Sequence, residues 1–283
     1  MTTIGAALAE AEKELTNSSV TPRLDARVLM KAVVEQDDLF LLMNRDFKLD
    51  EEKERKFLEM VALRRTGRPV AYIVGYKEFM GYRFKVTQDT LIPRPDTELS
   101  VEESIRRIRE KDYIKVLDLC SGSGAIGLSI AKILDFTNVS LSDINKGALL
   151  VSMENAQAMG LHGRIRFYES DLFERIEGKF DLIVSNPPYI SGADMETLPV
   201  TVKDFEPETA LYGGKSGLDF YRKIISKAGH YLVEGGTLLF EIGYDQREEV
   251  ERMFKENRFN NVLTIKDLAG HDRVVSGVLV AET

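Results

Sequence analysis

Four residues, Asn186-Pro187-Pro188-Tyr189, follow directly after an apolar run and have the composition of a group-transfer site. Asn186 offers a side-chain carbonyl oxygen, and Pro187 offers a backbone carbonyl without a competing N–H. Two such acceptors suit a planar amino group, as in a carboxamide or an adenine, because holding both N–H bonds lets the nitrogen turn its lone pair toward an electrophilic carbon. Tyr189 adds a flat face for a planar group. We therefore predict Asn186, Pro187 and Tyr189 as catalytic residues, with a plain Asn-Pro turn as the alternative.

A second candidate site is the glycine-rich turn that follows the apolar run Val116–Leu119. Gly122, Gly124 and Gly127 form the pattern G-x-G-x-x-G, which is typical of a strand-to-helix turn that lets a ligand approach the backbone. Asp143 ends the next predicted strand, where a carboxylate can accept hydrogen bonds from two ribose hydroxyls. The pattern thus predicts a nucleoside-containing ligand, with a tight turn that binds no ligand as the alternative.

The acidic residues around this turn favour S-adenosylmethionine over NAD. Asp118 lies inside the strand, where its carboxylate can face an ammonium group and is a poor neighbour for a pyrophosphate. Asp171, after the third predicted strand, can accept from an adenine amino group or serve as a helix cap. Cys120 is interpreted as a small residue packed beside the glycines and not as a nucleophile.

The elements that must position these residues alternate between strands and helices beyond residue 114. Alternation of this kind predicts an α/β fold with a mostly parallel, doubly wound sheet that is covered on both faces. Because no helix separates the last two strands, we expect the final strand to be antiparallel. The predicted strands span residues 115–120, 139–143, 164–168, 180–185, 237–243, 261–267 and 273–281, and the predicted helices lie near 124–135, 145–159, 217–232 and 245–256.

Three segments are predicted along the chain. Residues 1–67 have the pattern of a small helical domain, with helix starts at Thr21-Pro22 and Asp50-Glu51. Residues 68–95 contain glycines and a short alternating run, Tyr82–Val86, which indicate a β-hairpin-like connector. Residues 96–283 form the predicted catalytic domain.

Composition limits the possible functions. The chain has 283 residues, of which 43% are hydrophobic and 30% charged, and its net charge is −8. Such an acidic chain is a poor candidate for a broad nucleic-acid-binding face, which needs clustered Lys and Arg. One Cys and three His exclude a disulfide framework and a Cys/His zinc cluster, so we expect no metal. No apolar run reaches membrane-spanning length and the N-terminus lacks a signal-peptide pattern, so we expect a cytoplasmic protein with no membrane contact.

With these motifs in hand, the chain resembles the release factor glutamine N5-methyltransferases (the HemK family) over nearly its full length. Ile92-Pro93-Arg94-Pro95-Asp96-Thr97-Glu98 matches the signature that precedes the family's catalytic domain. The donor loop departs from the commoner GTGTG because Cys120 replaces its first glycine, a change that we expect to matter little. The other matching segments are Asp118–Gly124, Asn186–Ile190, Glu206–Gly214, Gly217–Tyr221, Glu241-Ile242-Gly243 with Gln246, and Asp267–Gly270 with Arg273.

The resemblance implies a class I S-adenosylmethionine-dependent methyltransferase fold, which is Rossmann-like with seven strands, and a small N-terminal helical domain. It also implies an enzyme that methylates the side-chain N5 of the glutamine in the Gly-Gly-Gln motif of peptide chain release factors and leaves S-adenosyl-L-homocysteine. The helical domain is expected to help grip the factor, and the protein is expected to be a monomer. The implied cofactor-binding residues are Asp118, Cys120, Ser121, Gly122, Ser123, Gly124, Asp143, Asp171, Leu172 and Asn186. The predicted substrate-binding residues are Arg94, Pro95, Asn186, Pro187, Pro188, Tyr189 and Glu206.

Three other functions remain open for this sequence. An amino-methyltransferase acting on adenine in DNA or guanine in RNA would use the same Asn-Pro-Pro-Tyr loop on a flipped base, although the net charge argues against it. A non-catalytic adapter would bind donor or partner without methyl transfer, and an intact Asn186 argues against that. An NAD-dependent oxidoreductase would leave the segment Asn186–Tyr189 unexplained.

Overall fold

The computed structural model describes residues 1–281, so the last two residues of the predicted 96–283 domain lie outside the described residues. The chain forms two compact units. The first, here called the helical unit, comprises Met1–Tyr76 and an inserted segment, Pro199–Phe205. The second, the sheet unit, comprises Lys77–Leu198 and the described residues from Glu206 onward. The helical unit thus runs past the predicted border at residue 67 and also takes in a segment from the middle of the predicted catalytic domain.

The bounds of the elements are as follows. The helices are α1 (Ile4–Leu15), α2 (Pro22–Val34), α3 (Asp38–Met43), α4 (Glu51–Arg65), α5 (Val70–Val74), α6 (Glu98–Lys111), α7 (Ala125–Ile133), α8 (Lys146–Ala158), α9 (Gly192–Met195), α10 (Val200–Lys203), α11 (Asp219–Tyr231) and α12 (Arg247–Glu256). The strands are β1 (Tyr76–Phe79), β2 (Tyr82–Lys85), β3 (Lys115–Leu119), β4 (Asn138–Asp143), β5 (Ile165–Glu169), β6 (Phe180–Ser185), β7 (Leu232–Glu241), β8 (Phe259–Lys266) and β9 (Asp272–Leu279).

The helical unit is built from short capped helices around one apolar core. The Asp50 carboxylate accepts from the backbone N–H of Lys53 at 2.8 Å and caps α4. Leu15, Leu29 and Phe57 are fully buried in the core. The inserted segment belongs to the same unit, because a Cβ on Gly67 would lie 3.6 Å from the Phe205 ring.

A two-stranded sheet of β1 and β2 opens the sheet unit. Its turn consists of Met80 and Gly81, with φ of 50° and 76°. Positive φ at both central residues matches the right-handed twist of the strands that such a turn joins.

The main sheet has seven strands in the order β5-β4-β3-β6-β7-β9-β8. β3 to β7 pair in parallel, and β9 is antiparallel to both β7 and β8. This confirms the predicted mostly parallel, doubly wound sheet and its antiparallel final strand. Successive residues of a strand enter opposite cores: Val116 packs with α6 and α7 residues, whereas Leu117 packs with α11 and α12 residues.

The order of the strands also locates the site. β3 lies between β4 and β6, so the chain leaves β3 in one direction and reaches β6 on the other side. Ligands of open α/β sheets bind outside the carboxyl ends of the strands at such a reversal. The glycine turn after β3, Asp143 at the end of β4 and Asn186 after β6 are therefore expected to meet there.

Candidate active site

A cavity of about 500 Å³ lies in the sheet unit at the carboxyl ends of β3, β4 and β6. It brings together residues that are far apart in the sequence but were predicted to bind one donor and one substrate. The predicted residues that line it are Asp118, Cys120, Ser121, Gly122, Ser123, Asp143, Asp171, Leu172, Asn186 and Pro188.

The three glycines of the turn have different structural roles. Gly122 and Gly124 adopt φ of 54° and 80°, which glycine tolerates at little cost. Gly124 does not line the cavity; it precedes α7, and a Cβ there would meet Leu141 at 2.8 Å. A Cβ on Gly127 would lie 3.0 Å from the Asp118 carboxylate, so this glycine lets α7 pack against β3.

Cys120 occupies a left-handed conformation, with φ of 62°. This is the position at which the commoner donor loop has a glycine, so the cysteine adopts a backbone conformation that glycine adopts at lower cost. Burial, and then the negative charge of Asp143, raises the pKa of the thiol. The thiol is therefore a poor nucleophile.

Asp118 is the most constrained carboxylate of the site. It is 1% exposed, and its Oδ2 accepts from the backbone N–H of Gly127 at 2.8 Å. Its Oδ1 is buried and accepts no hydrogen bond from residues 1–281. Burial, and to a smaller extent the charge of Asp143, raises the pKa of Asp118 to about 7, while the Gly127 N–H acts in the opposite direction. A buried carboxylate oxygen without a partner is suited to pair with a ligand cation.

Asp143 supports the glycine turn from the end of β4. Its Oδ2 accepts from the backbone N–H of Gly122, and its Oδ1 from that of Asn145, both at 2.8 Å. Burial raises the pKa of Asp143 against the effect of these hydrogen bonds. Each oxygen keeps acceptor capacity for a hydroxyl. Asp171 and Leu172 line the same cavity, and the Ser170 hydroxyl holds their turn by donating to the Leu172 carbonyl at 2.9 Å.

The Asn186–Tyr189 loop is held from outside by the segment 211–217. Ile190 N–H donates to the Leu211 carbonyl, and Gly213 N–H donates to the Ile190 carbonyl, both at 2.9 Å. A Cβ on Gly213 would lie 2.7 Å from the Pro188 carbonyl oxygen. The Gln246 amide donates to the Tyr189 carbonyl at 2.9 Å. The glycine-rich motif and Gln246 therefore both hold this loop in place.

Several predicted site residues lie behind the cavity wall. Pro187, Tyr189, Arg94, Pro95 and Glu206 are outside its lining. Arg94 forms an ion pair with Glu206, which is 5% exposed and also accepts from Ile92 N–H at 3.1 Å. This pair joins two motifs that lie 112 positions apart.

Burial raises the pKa of Tyr189.

Other lining residues were missed as site residues. Thr97 and Phe220 belong to motifs that were noted in the sequence without a role, and so does Tyr212. Each motif contains polar or aromatic side chains next to glycine or proline, and this pattern could have indicated site residues. Only the fold shows which of them point into the cavity.

Comparison with known proteins identifies the family. Residues 6–75 match the PrmC N-terminal domain model, and residues 104–204 match the methyltransferase small domain model. The release factor glutamine methyltransferase of Clostridium botulinum is 44% identical, over 89% of this chain and 90% of that protein. The one of Vibrio cholerae is 40% identical, over 97% and 96%.

A solved structure supports the fold alone. The 16S rRNA N2 G1207 methyltransferase of T. thermophilus, in complex with AdoMet and guanosine, is 19% identical, covers 72% of this chain and 49% of that chain, and has a TM-score of 0.50. The family assignment rests on the two relatives, because the sequence identity of each to this chain extends over both units. The chain belongs to the release factor glutamine methyltransferase family.

Proposed function

We propose that this chain transfers the methyl group of S-adenosyl-L-methionine to the N5 side-chain nitrogen of the glutamine in the Gly-Gly-Gln motif of peptide chain release factors. The main observation in its favour is that one cavity is lined both by Asp118, whose buried Oδ1 has no partner within residues 1–281, and by Asn186. Family membership supports the same reaction, because the relatives are named for this substrate and residue.

The residues present fit the donor. Asp118 Oδ1 can pair with its ammonium group, Asp143 can accept from its ribose hydroxyls, and Asp171 with Leu172 can adjoin its adenine. When bound, the donor supplies an electrophilic methyl group on a positively charged sulfur. Gly122 leaves space for its close approach, since nothing lies within 4 Å of the place where a Cβ would be.

Asn186, which lines the cavity, accepts one N–H bond of the substrate amide through its Oδ1. The second acceptor is the backbone carbonyl of the next residue, Pro187, whose side chain is outside the cavity lining. Both are fixed dipoles whose negative ends face the nitrogen, where positive charge develops during transfer. Dipoles aimed at developing charge stabilise the transition state more than the ground state. No strong base is needed beforehand, because the nitrogen loses its proton readily once it carries the methyl group.

The remaining assignments concern partners and location. The helical unit grips the release factor, and the exposed side chains Leu39, Leu42 and Met43 of α3 support this role. The protein acts as a monomer, without direct nucleic-acid contact, in the cytoplasm, where translation is terminated. Within residues 1–281, no helix is long and apolar enough to cross a membrane.

Mass spectrometry of purified release factors incubated with enzyme and donor tests the function. We expect one added methyl group on the Gly-Gly-Gln glutamine, and a higher kcat/KM for the intact factor than for a short peptide with the same motif. An adenine- or guanine-containing oligonucleotide serves as the competing substrate. Methylation of the oligonucleotide and not of the factor would support the nucleic-acid alternative, and calorimetric binding of NAD in place of S-adenosylmethionine would overturn the donor assignment.

A further inference from the structure

Glu241, the last residue of β7, lies directly behind Asn186. β6 and β7 pair in parallel with Ser185 opposite Phe240, so the next residues, Asn186 and Glu241, leave the sheet side by side. Glu241 is 2% exposed and is not among the residues that line the cavity. It can therefore influence a substrate only through a neighbour.

The Glu241 carboxyl group is incompletely paired. Its Oε2 is buried and accepts no hydrogen bond from residues 1–281, and the buried Thr97 hydroxyl is likewise without a partner there. The positive charge of Arg273 acts on Glu241, but the Arg273 guanidinium is already paired with Asp96 at 3.2 Å and with Asp267 at 3.0 Å. A buried carboxyl group in such surroundings costs stability.

Burial and several neighbouring groups act on the pKa of Glu241. Burial raises this pKa to about 7, and the charge of Asp96 adds to the rise. The Thr97 hydroxyl, the positive charge of Arg273 and the Asn186 amide act in the opposite direction. Because Asn186 and Glu241 each follow the paired residues Ser185 and Phe240, the Asn186 amide lies on the strand next to Glu241, where its NH₂ group can face the carboxylate.

Asn186 has two orientations of nearly equal shape, which differ by exchange of its oxygen and its NH₂ group. Only one of them turns the oxygen toward the cavity, where it can accept an N–H of the substrate amide. A carboxylate behind the side chain attracts the NH₂ group and repels the oxygen, so it selects that orientation.

We propose that Glu241 is a positioning residue that holds the Asn186 carbonyl oxygen toward the substrate amide. The proposal rests on the proposed function, because it concerns how Asn186 acts in amide methylation. Glu241 thus lowers the stability of the fold, and it gives the Asn186 amide one defined orientation toward the reacting nitrogen.

The test compares Glu241→Met, which keeps the volume and removes the acceptor, with Glu241→Gln, which keeps an acceptor oxygen. For Glu241→Met we expect a single-turnover rate about 10- to 100-fold lower, the scale of a misplaced reacting group. The Kd for S-adenosylmethionine should stay unchanged, and the Tm should be equal or higher because a buried charge is removed. Glu241→Gln should recover most of the rate.

Glu103→Met is the matched control. Glu103 is 4% exposed in the same unit and pairs with Arg106 and Arg107, so its replacement should lower the Tm and leave the rate unchanged. The proposal is overturned if Glu241→Met reacts at the parent rate, if Glu241→Gln is as slow as Glu241→Met, or if Glu241→Met loses rate and Tm together. Failure of the parent enzyme to methylate a release factor would refute the proposed function instead.

Discussion

Asn186 lines the same cavity as Asp118 and Asp143. We propose that the two carboxylates bind the cationic nucleoside and that the Asn186 side chain binds the planar amide of the substrate. An asparagine suits this position because its side-chain oxygen accepts a hydrogen bond although the side chain carries no charge. A negatively charged side chain would instead form an ion pair with the donor cation.

We expect Asn186→Ala to lower kcat by about 10²–10³, the usual effect of removing one preorganised dipole. Asn186→Asp should retain measurable activity, because a carboxylate oxygen can also accept an N–H bond. Single-turnover rates at saturating donor separate the chemical step from donor binding. If Asn186→Ala reacts like the parent under those conditions, the proposed role of Asn186 is wrong.

At the scale of elements, the loop after β6 is rigid because the segment 211–217 packs against its backbone. The contact is backbone on backbone at Gly213, where no side chain could move aside. The geometry of the acceptors therefore depends on residues that never touch the substrate.

Gly213→Ala tests this dependence. Its Cβ would lie 2.7 Å from both the Pro188 carbonyl oxygen and the Tyr189 Cα, so the loop must shift, and we expect kcat to fall by about 10²-fold, as for a displacement of the order of 1 Å. Gly192→Ala is the control, because its nearest neighbours are at 3.7 Å or more, and it should react like the parent. Equal rates for the two variants would show that the loop does not need this support.

The pattern of the strands could be predicted from sequence, whereas the connections between motifs could not. All seven strands of the main sheet were predicted, and the parallel ones gave the clearest signal because buried parallel strands are continuous apolar runs bounded by turns. The ion pair of Arg94 with Glu206 left no such signal, since a charged residue looks the same in a sequence whether it faces substrate or a distant partner. No sequence pattern indicates that Pro199–Phe205 belongs to the same compact unit as Met1–Tyr76.

At the scale of the whole molecule, buried carboxylates make stability depend on pH. The pKa of Asp118 is raised by burial to about 7, whereas in an unfolded chain it is about 3.9. The stabilising contribution of the protonated group is fully present below pH 4 and is lost as the pH rises toward 7, because the unfolded chain releases this proton first.

Asp118→Asn should therefore raise the free energy of unfolding of the donor-free protein more at pH 8 than at pH 5, by a difference on the order of a few kcal/mol, and the Tm should follow. Thermal unfolding at several pH values provides the measurement. Asp38→Asn is the control: hydrogen bonding to Lys31 lowers the pKa of Asp38, so its effect on the Tm should be constant over this range. A constant effect for Asp118→Asn as well would mean that Asp118 is already ionised at pH 5. S-adenosylmethionine should stabilise the parent most above pH 7, where Asp118 is ready to pair with its ammonium group.

The inserted segment has a consequence for any attempt to divide this protein. Peptide bonds tie Pro199–Phe205 to the sheet unit at both ends, while its side chains, Val200 and Phe205, lie beside Gly67 in the helical unit. A protease cut in the hairpin at residues 80–81 would therefore leave two fragments that remain associated through this segment. Deleting the first 76 residues would remove the part of the helical unit that Phe205 packs against, so the shortened chain would carry an uncovered aromatic ring beside the already exposed Val200.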